Sequence, residues 1–166
     1  MTSTTGRETR HETRIEADPT LPTIRIVREF DAPQARVFRA WIEPELVTQW
    51  LGPKDLDLKI ETWEVRTGGH YRYASYRDGQ EIAAFYGSFH EVRPDTRLVQ
   101  TFTYEGVPDG VALETALFEP AGEGRTRVTV LSVVDSLEAR DAILASGMEH
   151  GVVEGYQKLD ALLASL

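Results

Sequence analysis

The sequence predicts an α+β domain in which a curved antiparallel sheet of seven strands lies against a long C-terminal helix, with two short helices near the start. Three observations carry this. A strand pattern over Thr23–Phe30 is followed by two short helical patterns and then by six further strand patterns. Tight turn signals join those six strands, and short connections make an antiparallel meander. From Ser136 to Leu166, the residues Leu137, Leu144, Met148, Val152, Tyr156, Leu159, Leu163 and Leu166 recur at helical spacing as one apolar stripe. A helix of that extent is about 45 Å long, enough to cross a sheet.

In chain order, residues 1–20 are polar and end in Asp18-Pro19. They read as an N-terminal arm, flexible or docked, outside a single domain spanning residues 21–166. In Thr23–Phe30, Ile24, Ile26 and Phe30 share one face. Asp31-Ala32-Pro33 then stops the strand and opens a helix, because proline is tolerated in a first helical turn. Val37, Phe38, Trp41 and Ile42 form its apolar face. Pro44 opens the second helix, with Leu46, Val47 and Trp50, and Gly52-Pro53 ends it.

The next strand alternates Leu56, Leu58 and Ile60 with Asp57, Lys59 and Glu61 and runs on to about Val65. Gly68-Gly69 turns the chain into His70–Arg77, and Asp78-Gly79 is a hairpin signal leading to Glu81–Val92. Gly87 in mid-strand implies a bulge or a close approach of another group. The last three strands are Arg97–Tyr104, Val111–Glu119 and Arg125–Val134. A sheet of this size twists and curls, and the long helix buries its stripe on the concave face. Asp135 and Ser136 are N-cap residue types, and Asp135 with Glu138 has capping-box spacing. Gly147, Gly151 and Gly155 sit in the helix at intervals of four, each costing about 1 kcal/mol relative to alanine. Either another backbone approaches closely there, or space is left for a ligand.

Composition excludes several function classes. There is no cysteine, hence no disulfide, thiolate chemistry or cysteine metal site. A net charge of −9 without a Lys/Arg cluster opposes binding to nucleic acid or to anionic membranes. No apolar run approaches a membrane span, and the N-terminus lacks an apolar signal core, so the chain reads as cytoplasmic. His11, His70, His90 and His150 are scattered, without metal-ligand spacing, so no metal is expected. Nucleotide-binding and G-x-S-x-G motifs are absent, so neither a cofactor nor a nucleophile is indicated.

The aromatic residues carry the functional signal. Phe38, Trp41 and Trp50 on the short helices cap one end of the sheet. Trp63, Tyr73, Phe85, Phe102 and Phe118 on strands, with Tyr156 on the long helix, converge on the space between helix and sheet. With Met148, Gly151 and Val152 they are the expected lining of an apolar ligand site. His90, Glu91, Glu114 and Tyr73 are the candidate acid/base groups if they face that space. On the outer face of their strands the first three would be ordinary solvated side chains.

Four stretches carry a family resemblance: IRIVREFDAPQARVFRAWIEPELVTQWLGP (24–53), GGHYRY (68–73), AFYGSFHEVRPDTRLVQTF (84–102) and GMEHGVVEGYQKLDALL (147–163). In order and spacing they resemble the helix-grip proteins of the START and birch-pollen-allergen superfamily, SRPBCC. The closer likeness is to the family named for the activator of heat-shock protein 90 ATPase, in its bacterial stand-alone form. The resemblance covers about residues 24–166. It implies a seven-stranded sheet gripping the C-terminal helix around an apolar cavity, with no fixed catalytic residues. It leaves three functions open: binding of a small hydrophobic or amphipathic molecule, partnership with a chaperone, or polyketide cyclase/aromatase-like catalysis. The oligomeric state is open as well, a homodimer included.

Overall fold

Eight strands form one antiparallel sheet in the order β1-β2-β8-β7-β6-β5-β4-β3. They are β1 (Arg14–Ala17), β2 (Thr23–Phe30), β3 (Asp57–Trp63), β4 (His70–Arg77), β5 (Gln80–Arg93), β6 (Arg97–Tyr104), β7 (Ala112–Pro120) and β8 (Thr126–Val133). Among the described residues four helices accompany them: α1 (Gln34–Ile42), α2 (Pro44–Trp50), α3 (Leu137–Ala145) and α4 (Met148–Ser165). The structure, a computed structural model, describes residues 11–166. Strands β3 to β8 are the expected meander, and β2 closes onto β8 in register from Thr23↔Val133 to Phe30↔Thr126. Period-two alternation turns Ile24, Ile26, Arg28 and Phe30 of β2 to the interior. The three apolar ones share one core cluster with Val128 of β8, Ala116 and Phe118 of β7, and Tyr156, Leu159 and Leu163 of α4.

The sheet has eight strands rather than the expected seven. Residues 14–17 of the arm pair with β2, Ile15 opposite Ile26. A single apolar residue in four gave the sequence no strand signal; the ladder comes from the unpaired edge that β2 offers. The Asp18 carboxylate accepts the backbone N–H groups of Thr20 and Leu21 at 2.8 Å each, turning β1 into β2. These hydrogen bonds hold its pKa below the ordinary value. Residues 1–10 of the arm lie outside the described residues.

The C-terminal helix is also two helices, not one. Gly147 adopts a left-handed conformation, φ +87°, between α3 and α4. Glycine enters that region without steric cost and so ends α3. The N-cap is Ser136, whose Oγ accepts the Ala139 N–H at 3.0 Å, so the Asp135–Glu138 capping box is not the cap. The break leaves Leu137 exposed, and Leu166 is exposed at the far end, so the fully buried stripe is Tyr156, Leu159, Leu162 and Leu163.

The three glycines of this region therefore differ. Gly147 breaks the helix. Gly155 lets α4 touch the end of α2, where an added Cβ would lie 3.0 Å from the Trp50 carbonyl oxygen. Gly151 has room, since its Cβ would meet only Pro53 Cδ, at 3.7 Å.

Candidate functional site

Cross-strand register builds the site. One row across the concave face reads Ile24, Ser132, Glu114, Gln100 and Phe89, on β2, β8, β7, β6 and β5. Three polar residues thus stand side by side in an otherwise apolar surface. Ser132, Glu114 and Gln100 each occupy an inward position of an alternating strand, as do Val130, Ala116 and Leu98 in the neighbouring row. Glu114 keeps part of its surface accessible, and the same holds for Ser132 and Gln100. Protein nevertheless surrounds the Glu114 carboxyl closely enough to desolvate it, and its pKa is pushed up to about 7, with the Ser132 hydroxyl pulling weakly the other way. A desolvated carboxyl at an inward position of β7 lies in the space between sheet and helices and does not project from the outer face.

Three phenols share this space. The Tyr71 hydroxyl donates to the Thr101 carbonyl at 2.6 Å and accepts from Gln100 Nε2 at 3.1 Å. It reaches Thr101 across Gly87, where an added Cβ would lie 2.0 Å from the Thr101 oxygen. The mid-strand glycine is thus a close approach, as its position implied. Burial raises the pKa values of Tyr71, Tyr73 and Tyr156, and the Glu114 charge raises each further. All three respond to one carboxylate because they surround it.

Among the described residues two buried cations have their charge committed, although Arg28 Nε has no partner. Arg28 is 3% exposed and binds both carboxylate oxygens of Asp160 on α4, at 3.0 and 2.5 Å. Arg140 on α3 donates to the Asp18, Leu21 and Thr23 carbonyls at 2.8–3.1 Å, pinning α3 to the β1–β2 turn.

The aromatic residues expected to line the site fall into two groups. Phe38, Trp50 and Phe118 are almost wholly buried. Phe38 packs edge-on against Phe118 at 5.2 Å, and Trp50 packs at a tilt against Trp41 at 4.6 Å while donating its indole N–H to the Ala40 carbonyl. Trp41 also packs edge-on to Phe118, and Tyr156 edge-on to Phe30. Trp63, Phe85, Phe102, Met148, Gly151 and Val152 remain half-buried. Trp63 donates to the Ile42 carbonyl at 2.6 Å and packs against Tyr71, while Tyr73 tilts against Phe85 at 5.2 Å.

Of the acid/base candidates, Glu114 and Tyr73 face inward. Glu91 pairs with Arg97 at 3.0 Å and with Arg93 near the strand end. His90 is exposed at the irregularity between Phe89 and Glu91. Sequence reasoning did not single out Gln100, Ser132 or the Tyr71 hydroxyl. Inward parity was the available signal: Leu98-x-Gln100-x-Phe102 and Val128-x-Val130-x-Ser132 each place a polar residue where an apolar one is due. Among the described residues no group of three or more His, Asp or Glu is placed to hold a metal ion, and no helix is long and apolar enough to cross a membrane.

The model of the family described as Activator of Hsp90 ATPase homolog 1-like protein matches residues 31–164. A solution structure of an Arthrobacter aurescens protein is 30% identical, covering 92% of each chain with a TM-score of 0.83. A crystal structure of a Rhodobacter sphaeroides protein is 27% identical, with a TM-score of 0.84 over 93% of this chain and 100% of that one. A Mycobacterium smegmatis protein, at 24% identity and a TM-score of 0.81 over 92% of this chain and 97% of its own, shares the fold. No curated protein matches the chain.

Proposed function

The chain belongs to the Activator of Hsp90 ATPase homolog 1-like family, and from that premise we propose that it binds a small amphipathic molecule between the concave face of the sheet and helices α3 and α4. The observation that carries the reading is Glu114, a desolvated carboxyl with accessible surface at the centre of the concave face. Taking a carboxyl group out of water is costly, and the Ser132 hydroxyl offsets only part of that cost, so such groups persist where something polar meets them. A few polar groups amid aromatic and aliphatic walls is the composition of small-molecule sites. Here the polar centre is Glu114, Gln100, Ser132 and the tyrosine hydroxyls. The walls are Phe85, Phe102, Met148 and Val152, with Gly151 leaving room on α4.

Glu114 also favours a second reading, catalysis. A carboxyl with a pKa of about 7 exchanges its proton near neutral pH and suits an acid/base role on a bound substrate. Both readings use one site and begin with binding.

Native mass spectrometry of freshly purified protein, paired with titration of an apolar fluorescent probe, tests the proposal. The expected result is one retained small molecule or one probe per chain, with tryptophan emission shifted through Trp41 and Trp63. Absence of probe binding at saturating concentration, together with a bare mass, contradicts it.

A further inference from the structure

We infer that the interior site selects an uncharged ligand whose apolar body carries an O–H or N–H donor directed at Glu114, and that it rejects carboxylates. This deepens the proposed function and rests on it. The argument is one of charge balance inside the fold. The groups facing Glu114 are Tyr71 and Tyr73 from β4, Gln100 from β6, Ser132 from β8 and Tyr156 from α4. None is cationic. Among the described residues one buried cation, Arg28 of β2, has its charge paired with both carboxylate oxygens of Asp160, its Nε alone being without a partner. The other, Arg140 of α3, is spent on three backbone carbonyls of the β1–β2 segment.

A ligand carboxylate would therefore meet a carboxyl group, with no free guanidinium to offset the repulsion, in surroundings that screen charge poorly. An ionised Glu114 offers only acceptors, so it calls for a donor. The Tyr71 hydroxyl donates its one hydrogen bond to the Thr101 carbonyl and accepts one from Gln100, so it too contributes little to holding an anion. The ring-lined walls favour a flat apolar body: Tyr73 lies against Phe85 at 5.2 Å and Phe85 stacks on Phe102 at 5.3 Å.

Three probes of one shape test this: 2-naphthol, 2-methoxynaphthalene and 2-naphthoate, titrated calorimetrically into the full chain. The naphthol should bind one per chain, about tenfold or more tighter than the naphthoate, with the methyl ether between them. Lowering the pH from about 8 to about 6 protonates Glu114 and should tighten naphthoate binding several-fold while changing the ether little. Glu114→Gln should abolish that pH dependence and narrow the gap between naphthol and naphthoate. If that variant does not fold, the wild-type pH series decides alone. Equal stoichiometric binding of all three probes would overturn the selectivity and leave the binding site standing. Naphthoate binding as tight as naphthol at pH 8 would also overturn it. If no probe binds, both the selectivity and the proposed function fall.

Discussion

At the end of the sheet capped by α1 and α2, Phe30, Val37 and Leu159 keep no accessible surface. Three inward rows along β2, Glu114, Ser132 and Gln100 are only half-buried, and Leu144, Met148 and Val152 of the helices are half-buried too. The first region is closed by aromatic edges: Trp41 alone touches Phe30, Trp50, Phe118 and Tyr156, with ring centroids 4.6–6.4 Å apart. Most of its polar atoms are satisfied within the protein, as with the Thr126 hydroxyl on the Ala32 carbonyl and the Trp50 indole on the Ala40 carbonyl, while Arg28 Nε is buried without a partner. The second region carries a carboxyl group that the protein desolvates without pairing it to a cation. One end of the interior holds the fold together. The other tolerates a destabilising group, as binding sites do.

The sharpest way to break this comparison is to truncate one aromatic from each region. Phe118→Ala should cost about 3–5 kcal/mol, the range for a fully enclosed phenylalanine. Phe102→Ala, on the half-buried side, should cost markedly less, because part of its surface is already accessible. Equal losses in chemical denaturation would erase the distinction between the two ends.

Next in size is the pH dependence of stability. The Glu114 pKa is raised in the folded state, so between its ordinary value of 4.5 and about 7 the native protein binds more protons than the unfolded chain. Stability from this group is therefore greatest at low pH and falls as pH rises through about 7, by at most about 3 kcal/mol in all. Asp18 is shifted the other way and acts only near the acid end. Glu114→Gln should flatten the melting temperature between pH 6 and 8 and exceed wild type at pH 8. A steeper slope in the variant than in the wild type would contradict the assignment.

Smaller effects separate the glycines. Gly155→Ala drives a methyl against the Trp50 carbonyl, which is fixed at the end of α2. Overpacking should outweigh the helix-propensity gain, for a net loss of about 1 kcal/mol. Gly151→Ala meets only ordinary contact with Pro53 and should stabilise by up to about 1 kcal/mol. Thermal melts of the two variants should move in opposite directions, each by a few degrees. Shifts of the same sign would mean that the helix has one packing rule along its length.

Much of this was legible in the residues. The meander, the two short helices and the inward face of β2 follow from alternation and turn chemistry. The arm strand β1 was not legible, because pairing with an open edge needs only backbone and leaves no apolar trace beyond Ile15. The break at Gly147 was hidden by a stripe that continues in phase on both sides of it; three glycines at equal spacing look alike until their neighbours are known. The polar row was half legible. Glu114 stood out as a candidate, but only the register of β6, β7 and β8 brings Gln100 and Ser132 beside it and sends Glu91 outward to Arg97.

The central claim, that Glu114 faces a ligand-accessible interior, is tested most directly by carbon NMR titration of its side-chain carboxyl, free and saturated with 2-naphthol. The account predicts a free pKa near 7 that shifts when the naphthol binds. An ordinary carboxylate value close to 4.5, unmoved by the ligand, would contradict it.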